Sequence, residues 1–230
     1  LNSWNGLKSG SEILSTRGDQ VRILAVADER VPQLYDEFDV NRFPKIDLII
    51  GCGDLDPAYR AYLMGAFLAP MYYVRGNHDT GRDENVGGED IDCKIVKYKG
   101  ISIAGFGGSM WYGGGPLQYT EWQMKWKVWK LYPRLWLNSG VDIVIAHAPV
   151  KGCQDGPDVC HRGFAVFRDL IKRFRPKYFL HGHVHMNYRR GLKRVQRLED
   201  TWVINCSGYY MFDYEEGPSE RDRGDQYRHC

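Results

Sequence analysis

Residues 46–79 read IDLIIGCGDLDPAYRAYLMGAFLAPMYYVRGNHD, and this stretch decides the architecture. It opens on a short apolar, β-rich run, IDLII at 46–50, followed by Gly-Cys-Gly53-Asp54. A helical pattern follows near 57–68. A second run, PMYYV at 70–74, then leads into Arg75-Gly76-Asn77-His78-Asp79. Strand, helix, strand in that order predicts an α/β layered fold, with polar residues released where each strand ends.

Working outward, similar apolar runs recur as VRILAVA (21–27), KIVKY (94–98), ISIAG (101–105), VDIVIAHA (141–148), KYFL (177–180) and TWVINC (201–206). Further helices are expected near 120–137 and 163–174. Thr120 and Gln123 stand at capping-box spacing. Trp122, Trp126 and Trp129 follow at i, i+4 and i+7, one face of a helix. The favoured reading is an amphipathic helix packed on a sheet, with its lysines in water. The sharper one is an aromatic platform for bases, with Lys125, Lys127 and Lys130 gripping phosphates. Residues 1–20 read as a polar lead-in, 21–212 as a single domain, and 213–230 as a polar, flexible tail.

Composition narrows the function classes. In 230 residues, 43% hydrophobic and 26% charged, one substantial core can form and wholesale disorder is excluded. A formal net charge of +2 supplies no global field for nucleic acid or an anionic membrane. No run approaches the roughly 20 apolar residues that span a bilayer, and no secretion signal is visible. The six cysteines are scattered without a C-x-x-C pair, so reduced thiols and a cytoplasmic location are the expectation.

The chemistry lies after the strands. Run 21–27 ends at Asp28, 46–50 leads to Asp54, 70–74 to Asn77-His78-Asp79, 141–148 carries His147, and 177–180 leads to His181-Gly-His183-Val-His185. In an open α/β sheet the carboxyl ends of the strands are where ligands bind. Five of the seven histidines sit there. Carboxylate, amide oxygen and imidazole without thiolate suit Mn²⁺, Fe or Zn²⁺. The set exceeds what one ion needs, so two ions about 3.5–4 Å apart could share Asp54 and hold a bridging hydroxide, clamping an in-line displacement at phosphorus.

Gly53-Asp54, GNHD at 76–79, the strand-end His147 and GHVH at 182–185 together resemble the calcineurin-like metallophosphoesterases. The resemblance runs from residue 21 to about 206. It implies a four-layer α/β/β/α sandwich in a single domain, and two divalent ions, Mn²⁺ foremost with Fe or Zn²⁺ as alternatives. It implies that Asp54 bridges, that Asn77, His147 and His183 complete one metal site, and that Asp28 and His185 belong to the other. His78 would protonate the leaving oxygen, and Asp79 would orient its imidazole.

One position departs from the family pattern. The first motif is usually Asp-x-His, and here it is Asp28-Glu29-Arg30. Arginine has no acceptor lone pair, so Arg30 cannot ligate a metal, and the first metal site is expected to be weak. Arg30 reads instead as a phosphate clamp or as an ion-pair partner. This Asp-x-Arg motif is similar to that of a bacterial branch of the family. His161 and Arg162, ahead of the 163–174 helix, are candidate phosphate contacts, and the Gly-rich, aromatic segment 107–116 is a candidate substrate wall. The expected activity is hydrolysis of a phosphomonoester or phosphodiester, with a small nucleotide-like substrate favoured. No membrane partner is expected, nucleic acid is disfavoured, and the oligomeric state is open. The alternatives are a non-catalytic scaffold on the same fold and, behind it, a nuclease.

Overall fold

The computed structural model describes residues 20–79, 86–188 and 191–219. In chain order its elements are β1 (Arg22–Ala27), β2 (Leu48–Cys52), α1 (Pro57–Phe67), β3 (Met71–Val74), β4 (Glu89–Asp90), β5 (Ile95–Tyr98) and β6 (Ile101–Phe106). There follow β7 (Ser109–Met110), β8 (Gln118–Tyr119), α2 (Glu121–Leu137), β9 (Ile143–Ala146), α3 (Ala165–Phe174) and β10 (Tyr178–His181). The last are β11 (Val195–Leu198), β12 (Thr201–Asn205) and β13 (Gly208–Asp213).

Two sheets stack face to face. One has the order β13-β1-β2-β3-β4, the other β11-β12-β10-β9-β6-β5, and β7 with β8 makes a small ribbon. The period of two along each strand sorts side chains between layers. Ile23, Ala25, Ala27, Leu48, Ile50 and Cys52 meet Ile103, Ile143, Ile145, Leu180 and Ile204 between the sheets. Leu24, Val26 and Ile49 turn the other way, onto Tyr59 and Leu63 of α1. Phe106, Val144, Phe179 and Val203 likewise turn out onto α2 and α3. Strands buried on both faces need continuous apolar runs, which is why the central strands are legible in sequence. The result is the four-layer α/β/β/α sandwich.

The helices start where their caps dictate. Asp56 accepts from Ala58 N (2.8 Å) and Tyr59 N (3.2 Å), with Pro57 opening α1. Thr120 and Gln123 close a reciprocal capping box on α2. The first residue of α3 follows Phe164, which cannot cap. The Glu121 carboxylate supplies the acceptors instead, to Ala165 N (3.0 Å) and Val166 N (2.8 Å).

Three expectations need revision. The helix α2 does pack on the sheet, but through Met124, Val128, Leu131 and Leu135, while Trp122, Trp126 and Trp129 face outward. Lys127 is not in water either: its ammonium is paired with Asp92 (3.0 Å) and donates to Gly107 O (3.2 Å). Of the cysteines, Cys52, Cys93, Cys160 and Cys206 are free thiols, whereas Cys153 is disulfide-bonded.

At the carboxyl end of the sandwich, β13 pairs antiparallel with β1 along its whole length, and Asp213 receives Arg22 Nε at 2.8 Å. Tyr214 N donates to Val21 O (2.9 Å). Residues 1–19 of the expected lead-in and 220–230 of the expected tail lie outside the described residues. Among the described residues, no helix is long and apolar enough to cross a membrane.

Candidate metal centre

The strand ends of both sheets converge on one spot. Asp28 follows β1, Asp54 follows β2, Asn77 follows β3, His147 follows β9, and His183 follows β10. Asp28 (φ 68°), Asp54 (φ 55°) and His183 (φ 69°) all hold left-handed backbone. For residues with a Cβ this costs about 1–2 kcal/mol each, a strain tolerated where geometry matters more than local comfort. Gly76 has no room for a side chain, since a Cβ there would strike the Asp54 carboxylate and its amide nitrogen.

At the centre, four lone-pair atoms crowd together. His147 Nε2 lies 3.0 Å from Asn77 Oδ1, 3.1 Å from His183 Nδ1 and 3.3 Å from Asp54 Oδ2. The orientation of each is set from behind. His147 Nδ1 meets Cys52 O at 2.9 Å, and His183 Nε2 meets Cys160 O at 2.6 Å. A proton on each of those nitrogens leaves Nε2 of His147 and Nδ1 of His183 as acceptors. The Asn77 amide donates to Tyr112 Oη at 3.0 Å, which directs its oxygen inward. Bonds of about 2.0–2.2 Å to a shared ion put neighbouring ligand atoms about 3–3.5 Å apart, the spacing found here. The ligand atoms of Asp54, His147 and His183 all lie within 4.8 Å of one another.

Electrostatics agrees with this geometry. Burial opposes the charge on Asp54, but His147 beside it holds the carboxyl down at about 2. Burial likewise works against a charged His147, yet Asp54, helped by Asp28 and the Cys52 carbonyl, raises that imidazole to about 9. His183, desolvated and next to His147, is pushed down to about 3. The cluster therefore demands one positive charge among its acceptors. Asp28 points the same way. Burial pushes its carboxyl up, and its Oδ1 accepts His183 N (2.8 Å). Its buried Oδ2 has no hydrogen-bond partner among the described residues.

The calcineurin-like phosphoesterase profile matches residues 23–187. The chain belongs to the calcineurin-like phosphoesterase family. No curated protein matches in sequence. Among solved structures, TT1561 of Thermus thermophilus is 19% identical with a TM-score of 0.59, covering 86% of this chain and 96% of that one. A further crystal structure is 17% identical with a TM-score of 0.64 and the same coverages. At these identities the likeness is one of fold.

In this family member, the remaining sequence candidates lie around that cluster. His78 is exposed, and its backbone N donates to Asp54 Oδ1 at 2.8 Å. Asp79 is tied to main chain: its Oδ2 accepts from Gly76 N (2.7 Å) and Asp54 N (2.8 Å). That carboxyl braces the GNHD turn against the Asp54 loop, where the sequence suggested an orienter of His78. His185 is exposed, close enough for its charge to act on Asp28. Arg30 is exposed and lays its guanidinium over the Tyr35 ring at 4.3 Å, with Tyr59 at 5.8 Å. His161 stands at the rim, its ring 5.4 Å from that of His183 and its Nδ1 3.0 Å from Asp158. Arg162 beside it is exposed.

Sequence reasoning missed several supporting groups. Tyr112 lies inside the Gly-rich segment read as a substrate wall, but nothing in its spacing ties it to Asn77. Asp158, bonded to both His161 and the Tyr188 hydroxyl, carries no motif. The Cys52 and Cys160 carbonyls are backbone and leave no trace in residue type.

Proposed function

We propose that this chain is a metal-dependent phosphoesterase acting on a small phosphate ester. The observation that supports it above others is the convergence of Asn77 Oδ1, Asp54 Oδ2 and His183 Nδ1 on His147 Nε2 within 3.3 Å. Such a set of acceptors at a strand-end cleft fits a divalent cation, with Mn²⁺, Fe or Zn²⁺ suited to the oxygen and nitrogen donors. Asp54, Asn77, His147 and His183 would hold one ion. Asp54 with Asp28 and His185 would hold a second, for which Asp28 Oδ2 is the available donor. When bound, such ions polarise the phosphoryl oxygens and lower the pKa of water.

The chain's own groups then have defined tasks. Asp79 keeps the Asn77-His78 turn and the Asp54 loop in register through two amides. Tyr112 holds the Asn77 amide oxygen inward. His78, anchored by its backbone to Asp54 and exposed at the surface, is the proton donor to the departing ester oxygen. Water adds to phosphorus as the ester P–O bond breaks, the alcohol leaves with the proton from His78, and the proton that the attacking water releases to solvent balances the one His78 regains. His161 and Arg162 at the rim meet the substrate's phosphate, joined by Arg30 from the loop after β1. The small single domain favours nucleotide-sized esters.

Turnover of bis-p-nitrophenyl phosphate with Mn²⁺, with chelator, and in Asn77→Ala tests this reading. Chelator-sensitive hydrolysis lost in the variant is expected. No bound metal and no Asn77-dependent turnover would replace the enzyme with a scaffold on the same fold.

A further inference from the structure

We propose that the outer face of α2 seats the protein on an anionic lipid surface. The helix has two apolar faces. Met124, Val128, Leu131 and Leu135 are buried against the sheet. Opposite them, Trp122, Trp126, Trp129, Pro133 and Trp136 follow at i, i+4, i+7, i+11 and i+14, a single outward stripe. The four tryptophans are 56%, 50%, 37% and 62% exposed, and Leu137 beside them 85%. At about 1.5 Å of rise per residue, the stripe is about 21 Å long.

Four of the seven tryptophans thus stand in water on one helix. Trp122, Trp126 and Trp129 pack edge to face on each other, each pair of rings 5.9 Å apart, so the ridge is built rather than loose. Contiguous exposed apolar surface of this kind marks an interaction site. Indole is the side chain best suited to a boundary between hydrocarbon and water, with an apolar body and one donor.

Charge decides the occupant. Lys125 holds its ammonium 4.8 Å from the Trp129 ring, and Arg173 of α3 sits 4.9 Å from Trp136. On the other flank of the stripe Lys130 and Arg134 are exposed. A depression of about 670 Å³ between α2 and α3 is lined by Lys125, Trp129, Tyr132, Asp169, Lys172 and Arg173, so three cations face one carboxylate there. The one acid of α2, Glu121, is engaged by the α3 amides. An aromatic ridge flanked on both sides by cations complements a flat, negatively charged interface. Trp122, Trp126 and Trp136 lie outside that depression, on the outward side of the helix, whereas single-stranded nucleic acid is bound along a groove. The sequence offered no membrane partner because its net charge is small and it has no spanning run; the surface on α2 is local and peripheral.

The test is vesicle flotation of the full chain with phosphatidylcholine alone and with phosphatidylglycerol added. Flotation with the anionic vesicles only is expected, weakened by salt and accompanied by a blue shift of tryptophan emission. Trp126→Ala/Trp129→Ala should lower the apparent affinity on the order of tenfold or more, and Lys130→Glu/Arg134→Glu should do the same while leaving every tryptophan in place. Ester turnover should be unchanged in both variants. The proposal is overturned by absence of flotation, by flotation that neither variant weakens, by tryptophan-dependent binding to a single-stranded oligonucleotide instead of vesicles, or by a dimer in solution that Trp126→Ala/Trp129→Ala dissociates.

Discussion

His147 Nε2 and His183 Nδ1 face one another across 3.1 Å, and each ring has its other nitrogen committed to a backbone carbonyl, Cys52 O and Cys160 O. Two imidazole lone pairs at that distance repel unless something positive lies between or beside them. In the metal-free chain that charge is a proton, which Asp54 favours by holding His147 up at about 9. A divalent ion satisfies the same demand more fully. Saturating Mn²⁺, at about 100 times its dissociation constant, should therefore add about 2.7 kcal/mol of stability. In a chain of this length that amounts to a rise of about 5–10 °C in Tm. Thermal unfolding with and without Mn²⁺ measures it, and the rise should vanish in His183→Gln and in Asp54→Asn. A rise that survives both substitutions would place the metal elsewhere.

Tyr112 is linked to this centre by a single bond, the 3.0 Å donation from the Asn77 amide. Removing the hydroxyl in Tyr112→Phe frees that amide to rotate and to present nitrogen in place of oxygen. Loss of a partner behind a metal ligand typically lowers affinity on the order of tenfold, with little change in folding. Calorimetric Mn²⁺ titration of the variant checks this. Unchanged affinity would mean that the Asn77 oxygen is oriented by the turn alone.

Asp79 offers a sharper separation of roles. Its Oδ2 accepts two main-chain amides, from Gly76 and Asp54, in a partly buried setting. Asp79→Ala leaves both donors unsatisfied and should cost about 2–3 kcal/mol. Denaturant unfolding measures that loss, and metal affinity should fall with it because the Asp54 loop is no longer braced. Asp79→Asn keeps one acceptor oxygen and should lose less. Its pH–rate profile should keep the limb assigned to His78. A displaced limb would show that Asp79 tunes the imidazole after all.

The extent to which this site is readable follows from what each residue contributes. Strands β1, β2, β3, β9 and β10 lie in the middle of the two sheets and are largely buried, so their apolar runs stand out, and the polar residue after each run marks the sheet end. That is why Asp54, Asn77, His147 and His183 are legible in the sequence as a set. Strand β13 alternates buried and half-exposed side chains next to a polar tail, and its sequence does not announce it. Periodicity shows that Trp122, Trp126 and Trp129 share a face, but α2 carries a second stripe of Met, Val and Leu, and spacing cannot say which of two apolar stripes turns inward. The brace provided by Asp79 and the carbonyls behind both histidines depend on loop backbone, on which side-chain identity is silent.

His181 extends the argument to pH. It is fully buried, its Nε2 is 2.7 Å from Gln154 Oε1, and burial first of all pushes its imidazole down to about 4. The unfolded chain releases the same proton near pH 6.5, so between these values the unfolded state binds more protons than the folded one. Stability from this residue is therefore complete above about pH 6.5 and is lost as the pH falls toward 4. A shift of that size corresponds to roughly 3 kcal/mol at most. In His181→Asn no such proton exists. The stability gap between the native chain and His181→Asn, measured by urea unfolding, should be constant above neutrality and should close as the solution is acidified from pH 6.5 to about 4. A gap that stays constant across that interval would mean that His181 is charged in the fold, with Gln154 and the Gly182 carbonyl each accepting a proton from the ring.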